Sequence, residues 1–177
     1  MIVLMAGLPG SGKTTLAREL SHRVSGRVLS KDEFRHAIFQ PDEVEHSSQQ
    51  DDFCLQLILE TAAYLLSKNP VRVIFLDGRP FSRRYQIENT IAFAASLHQP
   101  WRILECVCSE ELAKQRLLSD IERNDHPARN RDFQLYLAVK DRFEAITREK
   151  VTIDTQQPLD ACVQQALDYL PLELPSR

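Results

Sequence analysis

Residues Gly7-Leu8-Pro9-Gly10-Ser11-Gly12-Lys13-Thr14 carry glycines, a lysine and a hydroxyl in the spacing G-x-x-x-x-G-K-[ST]. These residue types in this order suit one chemistry. Glycines let successive backbone N–H groups turn inward around a phosphate chain, at the positive end of the helix that follows. Lys13 is placed to reach the β- and γ-phosphates of a nucleoside triphosphate, and the Thr14 hydroxyl to hold Mg²⁺. The residues expected to touch ATP are therefore Gly7, Leu8, Pro9, Gly10, Ser11, Gly12, Lys13, Thr14 and Thr15.

Such a loop works only between a strand and a helix, and both neighbours fit. Ile2-Val3-Leu4-Met5-Ala6 is continuously apolar, as a strand buried on both faces should be. Leu16, Leu20 and Val24 then recur at helical spacing. Further strands are expected at Arg27–Leu29, Val71–Leu76, Trp101–Val107 and Val151–Ile153. Helices are expected from about Asp51 to Ser67 (apolar on most sides), over 83–97, from Ser109-Glu110-Glu111, from Asp132 to Arg148 and from Pro158 to Leu170. This alternation predicts a three-layer α/β/α fold of the P-loop NTPase kind, with a five-stranded parallel sheet and a lid. Ligands of such sheets bind beyond the carboxyl ends of the strands. Asp32 and Asp77 both follow strand ends there.

An aspartate within reach of an attacking hydroxyl can accept its proton, so Asp32 is a candidate general base; Ser30 and Asp32 both also suit the N-cap of the helix starting near Glu33. Arg35 lies one helical turn on and can face the same pocket. Asp77 ends an apolar strand, where a buried acid needs a partner such as Lys13, Thr14 or Mg²⁺-bound water, or serves a turn with Gly78. Arg79 is either a substrate contact or a surface charge. Arginines that close over a transferring phosphoryl group stabilise its charge and exclude water. Arg123, Arg129 and Arg131, in or beside the polar stretch 124–131, and Arg116 on the preceding helix are the candidates. Arg123 is favoured for the phosphates and Arg116 for the adenine side. The histidines show no metal-ligand spacing.

No N-K-x-D guanine-reading motif occurs, and no strand ends in Asp-Glu as in many motor ATPases. The phosphate loop together with Ser30-Lys31-Asp32-Glu33-Phe34-Arg35 resembles the kinase domain of phage polynucleotide kinase. It is similar to the wider group of small, AAA-type P-loop kinases that includes zeta toxins, gluconate kinases and chloramphenicol phosphotransferases. That resemblance implies that Asp32 is the base, that Arg35 holds the acceptor, and that Asp77 lies near substrate and metal waters. It also implies a lid at about 123–132, continued by Tyr136 and Arg142-Phe143-Glu144. Residues 36–60 are then the acceptor-binding region, though they match no particular substrate group.

The expected activity is transfer of the ATP γ-phosphate to an alcohol, with Mg²⁺. The acceptor is a small molecule, a nucleoside or a polynucleotide 5′ end. A net charge of −3 without aromatic–basic interleaving tilts towards the small molecule. A regulatory ATP-binding module without phosphotransfer is the reading from another class. At 177 residues a single domain spanning the whole chain is expected, large enough to fold on its core alone. The early first strand and the absence of any ~20-residue apolar run predict a cytoplasmic protein with no membrane span. Cys54, Cys106, Cys108 and Cys162 form no CxxC pair and are expected as core thiols.

Overall fold

The computed structural model describes residues 1–45, 47–123 and 132–171, the side chains of 121–123 excepted. Its elements run β1 (Ile2–Ala6), α1 (Lys13–Arg23), β2 (Arg27–Ser30), α2 (Lys31–Ile38), α3 (Ser48–Lys68) and β3 (Ile74–Asp77). They continue α4 (Arg84–Ser96), β4 (Trp101–Val107), α5 (Glu110–Arg123), α6 (Phe133–Asp141), β5 (Val151–Asp154) and α7 (Leu159–Tyr169).

The five strands form one all-parallel sheet in the order β2-β3-β1-β4-β5. Side chains alternate across a strand, and β1 divides its residues accordingly. Val3 and Met5 pack with Leu16 and Leu20 of α1 and Val163 and Ala166 of α7. Ile2, Leu4 and Ala6 pack on the other face, with Ile58, Ala62 and Leu66 of α3 and Ile87 and Ala94 of α4. Every residue of β1 is buried, which explains its unbroken apolar run. The expected three-layer architecture is the one observed.

The sheet order also fixes where ligands can go. The chain leaves β1 towards β2 and leaves β3 towards β4, so the connections diverge above the neighbouring ends of β1 and β3. A crevice opens at such a switch point. The loop after β1 and Asp77 at the end of β3 meet there.

Several expected boundaries shift. β3 covers Ile74–Asp77, leaving Val71 87% exposed outside it. α3 starts at Ser48, capped by the Ser47 hydroxyl, which accepts from the Gln50 amide at 3.1 Å. It buries one stripe (Cys54, Leu55, Ile58, Ala62, Leu66) and leaves Phe53 and Tyr64 exposed, so it is amphipathic and not apolar on most sides. α6 ends at Asp141, short of the expected Arg148, because tertiary contacts override the helical period. The Glu144 amide donates to the Ser82 carbonyl at 2.9 Å, and its carboxylate accepts from the Arg84 amide at 2.7 Å. Ile146 thereby enters the α3/α4 core, whereas Tyr136 packs with Ala113 and Leu117 of α5.

Candidate active site

The phosphate loop is shaped by close approaches. Gly7 has φ +130°, and a Cβ there would lie 2.2 Å from the Cys106 carbonyl oxygen at the end of β4. Gly12 caps α1 in a left-handed conformation with no side-chain hydrogen bond, which leaves first-turn amides for an anion. Lys13 is 5% exposed. Its Nζ donates to the Leu8 carbonyl at 2.6 Å and lies 3.4 Å from Ser11 Oγ, so the ammonium is folded over the loop.

The Thr14 hydroxyl donates to Asp77 Oδ2 at 2.7 Å, joining the loop after β1 to the end of β3 across the crevice. Asp77 Oδ1 is buried with no hydrogen-bond partner among the described residues. A buried carboxylate oxygen is costly unless something donates to it, and metal-bound water would do so. Thr14 and Asp77 therefore fit a hydrated Mg²⁺. Among the described residues no group of three or more His, Cys, Asp or Glu could hold a metal ion. An ion here would rely on the nucleotide phosphates, as Mg²⁺ with one or two protein contacts does.

On the other side of the loop Arg116 forms a brace. Its Nη1 donates to the Gly10 carbonyl at 3.3 Å and to Thr155 Oγ1 at 2.9 Å, and Nη2 donates to the Thr155 carbonyl at 2.8 Å. Thr155 Oγ1 is also 3.0 Å from the Ser11 carbonyl. Arg116 thus ties α5 and the segment after β5 to the phosphate loop. A second cavity lies beside this brace, lined by Gly12, Thr15, Arg116, Asp120, Thr155 and Gln157.

The third part of the site grows from the register of the sheet. Ser30 pairs with Asp77, so α2 begins directly against Gly78. Gly78 has φ +81°, and a Cβ there would meet the Lys31 amide nitrogen at 2.9 Å and that of Asp32 at 3.1 Å. Ser30, not Asp32, is the N-cap, accepting from the Glu33 amide. Asp32 is left to the pocket at 6% exposure, with Arg35 at 1%. Arg35 Nη1 donates to Asp32 Oδ1 at 3.3 Å, and Nη2 donates to Asp51 of α3. Lys31 Nζ donates to Asp51 Oδ1 at 2.8 Å and lies 3.7 Å from Asp32. Arg79 is 3% exposed, so it is no surface charge; its Nη2 donates to Asp52 Oδ1 at 2.5 Å.

One cavity joins these parts. Pro9, Lys13 and Thr14 line one edge, Asp32, Arg35, Asp51, Asp77 and Arg79 the other, and Val139 and Arg142 close it from the α6 side. The structure brings Lys13, Thr14, Asp32, Arg35 and Asp77 together, with Arg79, which the sequence left between substrate contact and surface charge. Arg116 stands apart, on the second cavity. Of Arg123 only the backbone is described, at the end of α5; Arg129, Arg131 and nearly all of the expected lid lie outside the described residues.

The sequence reading gave Lys31 no role, placed Asp51 and Asp52 only within the expected acceptor region 36–60, and took Arg142 only as a continuation of the lid. The Ser47–Gln50 capping pattern would have fixed the start of α3 and placed both aspartates in its first turns. None of the four cysteines is in a disulfide. Burial pushes the Cys106 thiol up to about 12, and burial also raises Cys108, so both sulfurs are held as neutral thiols beside the loop.

A family model described as an AAA domain matches residues 2–147. A search of curated proteins finds no match. Among solved structures, a protein from Chloroflexus aurantiacus provisionally described as a kinase is 23% identical with a TM-score of 0.72, over 96% of this chain and 97% of that one. APS kinase from Mycobacterium tuberculosis, in complex with AMPPNP and APS, is 15% identical with a TM-score of 0.69, over 94% and 95%. Kti12 from Chaetomium thermophilum, in complex with ADP-AlF3, is 15% identical with a TM-score of 0.69, over 96% of each chain. The five-stranded parallel sheet between helices is a P-loop NTPase α/β/α fold, and the match along residues 2–147 shows that this chain belongs to the AAA domain family.

Proposed function

We propose that this protein is an ATP-dependent phosphotransferase that moves the γ-phosphate of ATP to a hydroxyl of a small molecule. One observation carries the proposal: a single cavity runs from Lys13 and Thr14 of the phosphate loop to the buried pair Asp32 and Arg35. The Asp32–Arg35 pair, 3.3 Å apart on the far wall of that cavity, sets a carboxylate and a guanidinium where an acceptor hydroxyl would lie, which favours the enzyme over a module that only binds nucleotide.

The loop amides and the N-terminus of α1 take the phosphate chain, and Lys13 exchanges its contact with the Leu8 carbonyl for the terminal phosphates. Thr14, with Asp77 through water, would hold Mg²⁺, which when bound would neutralise charge on the phosphates. Arg35 fixes the rotamer of the Asp32 carboxylate, and Asp32 orients the acceptor hydroxyl and takes its proton. The acceptor oxygen bonds to the γ-phosphorus as the bond to the departing ADP breaks. Positioning and electrostatics supply most of the rate in such a reaction, while a placed base contributes about 10²–10⁴-fold. Arg116 acts on the nucleotide side through the Thr155 brace, and Arg123 closes over the phosphates. The cytoplasm is the proposed compartment; no helix among the described residues is long and apolar enough to cross a membrane.

Incubation with γ-labelled ATP and a panel of alcohols, nucleosides and 5′-hydroxyl oligonucleotides tests the reading. Labelled small-molecule product supports it, and labelled oligonucleotide redirects it to nucleic-acid ends. Tight ATP binding with no labelled acceptor leaves the regulatory module in its place.

A further inference from the structure

The acceptor side of the cavity is built largely from paired charges. Its cations are Lys31, Arg35, Arg79 and Arg142; its carboxylates are Asp32, Asp51 and Asp77, with Asp52 bonded to Arg79 from the rim. The two most buried cations are each matched by an acid from consecutive positions of α3: Asp51 bonds Arg35 and Asp52 bonds Arg79. Asp51 also holds Lys31.

This pairing selects against anions. A phosphate or carboxylate on the acceptor would compete with Asp51 and Asp52 for the guanidinium groups of Arg35 and Arg79 and would lie beside those carboxylates in a partly dry site. Both are costly at low effective dielectric. An uncharged acceptor meets neither penalty. The same walls remain rich in hydrogen-bonding groups. Arg79 Nη1 is buried with no partner among the described residues, and an ion-paired carboxylate keeps lone pairs for further donors. A hydroxyl donates and accepts, so a molecule carrying several of them can use both kinds of group.

We infer that the acceptor is an uncharged polyhydroxylated small molecule, a sugar or polyol, and that Asp51 and Asp52 exclude its anionic counterparts. The inference rests on the phosphotransfer reading of this site and narrows it.

The test is calorimetric binding, with AMPPNP and Mg²⁺ present, of matched sets: glycerol, glycerate and glycerol 3-phosphate; ribose, ribonate and ribose 5-phosphate; glucose, gluconate and glucose 6-phosphate. The expected result is at least one set in which the neutral member binds tenfold or more tightly than both anions. Asp52→Asn should cut that preference by about tenfold, while Asp52→Glu, which keeps the charge, should retain it; thermal melts verify that both variants are folded. The inference is overturned if no neutral member binds, if the anions bind as well as the neutral member in every set, or if Asp52→Asn leaves the preference unmoved. Turnover on the same sets separates the two claims. A neutral ligand that binds selectively yet gains no phosphate upholds the pocket chemistry and defeats the phosphotransfer reading. Phosphorylation of an anion in preference to its neutral counterpart does the reverse.

Discussion

Gly78→Ala is the most informative single substitution, because it pushes on the catalytic geometry without replacing a side chain of the site. Gly78 sits at φ +81°, where a non-glycine residue costs about 1–2 kcal/mol. The new methyl would also stand 2.9 Å from the Lys31 amide nitrogen and 3.1 Å from that of Asp32, where ordinary contact begins at 3.4 Å. The nearest two neighbours are backbone and the third is Lys31 Cβ at 3.2 Å, so the start of α2 must retreat by about half an ångström, at an overpacking cost of about 1–3 kcal/mol. The sum, about 2–5 kcal/mol, corresponds to a Tm lowered by about 4–20 °C in a chain of this size. Because a misplacement of ~1 Å can cost ~10²-fold in rate, half of that at Asp32 predicts a kcat lower by about tenfold. Gly78→Asn separates the two contributions: asparagine tolerates the left-handed conformation better but carries the same Cβ, so it should recover stability more than rate. Differential scanning calorimetry and single-turnover phosphate transfer are the assays. A Gly78→Ala protein with Tm within about 1 °C of wild type would refute the reasoning, since neither the strain nor the close approach would then be real.

Three further outcomes follow from the geometry. Arg116→Ala removes three hydrogen bonds between α5, Thr155 and the phosphate loop, and should weaken ATP binding about tenfold in fluorescence titrations while leaving acceptor binding unchanged. Asp77→Asn should raise the Mg²⁺ concentration needed for half-maximal transfer by about tenfold or more, because the charge beside the Thr14 hydroxyl is lost. The Cys106 thiol, pushed by burial from 9.0 to about 12, keeps its proton in the folded state where the unfolded chain has released it. Stability should therefore fall as pH rises from 9 towards 12, seen as a lower urea midpoint at pH 10 than at pH 8, and Cys106 should resist thiol reagents until the chain unfolds.

The nucleotide half of the site was legible in the sequence because it is local. Eight contiguous positions of the loop, the strand before it and the helix after it are read by spacing alone. Asp32 and Arg35 were legible for the same reason, since an i, i+3 pair on a helix shares a face. The acceptor half is assembled from afar. Asp51 reaches Arg35 across 16 residues and Asp52 reaches Arg79 across 27, and no local pattern encodes such pairings. Of the region 36–60, expected to bind the acceptor, only Asp51 lines the cavity, with Asp52 reaching Arg79 from the rim. α6 failed as a boundary because Tyr136, Val139, Phe143 and Ile146 have helical spacing, while the bonds of Glu144 to Ser82 and Arg84 draw the last two away.

The central claim is that Asp32 and the phosphate loop act together on one transferred phosphoryl group. A ³¹P NMR time course with ATP, Mg²⁺ and an accepted polyol measures this directly, run on wild type and on Asp32→Asn side by side. For wild type the account predicts loss of the γ-phosphate resonance matched by a growing phosphomonoester. For Asp32→Asn it predicts the same ATP affinity with transfer slowed by about 10²–10⁴-fold. Unchanged transfer by Asp32→Asn would contradict the role of the base, and release of inorganic phosphate with no phosphomonoester would contradict the phosphotransferase itself.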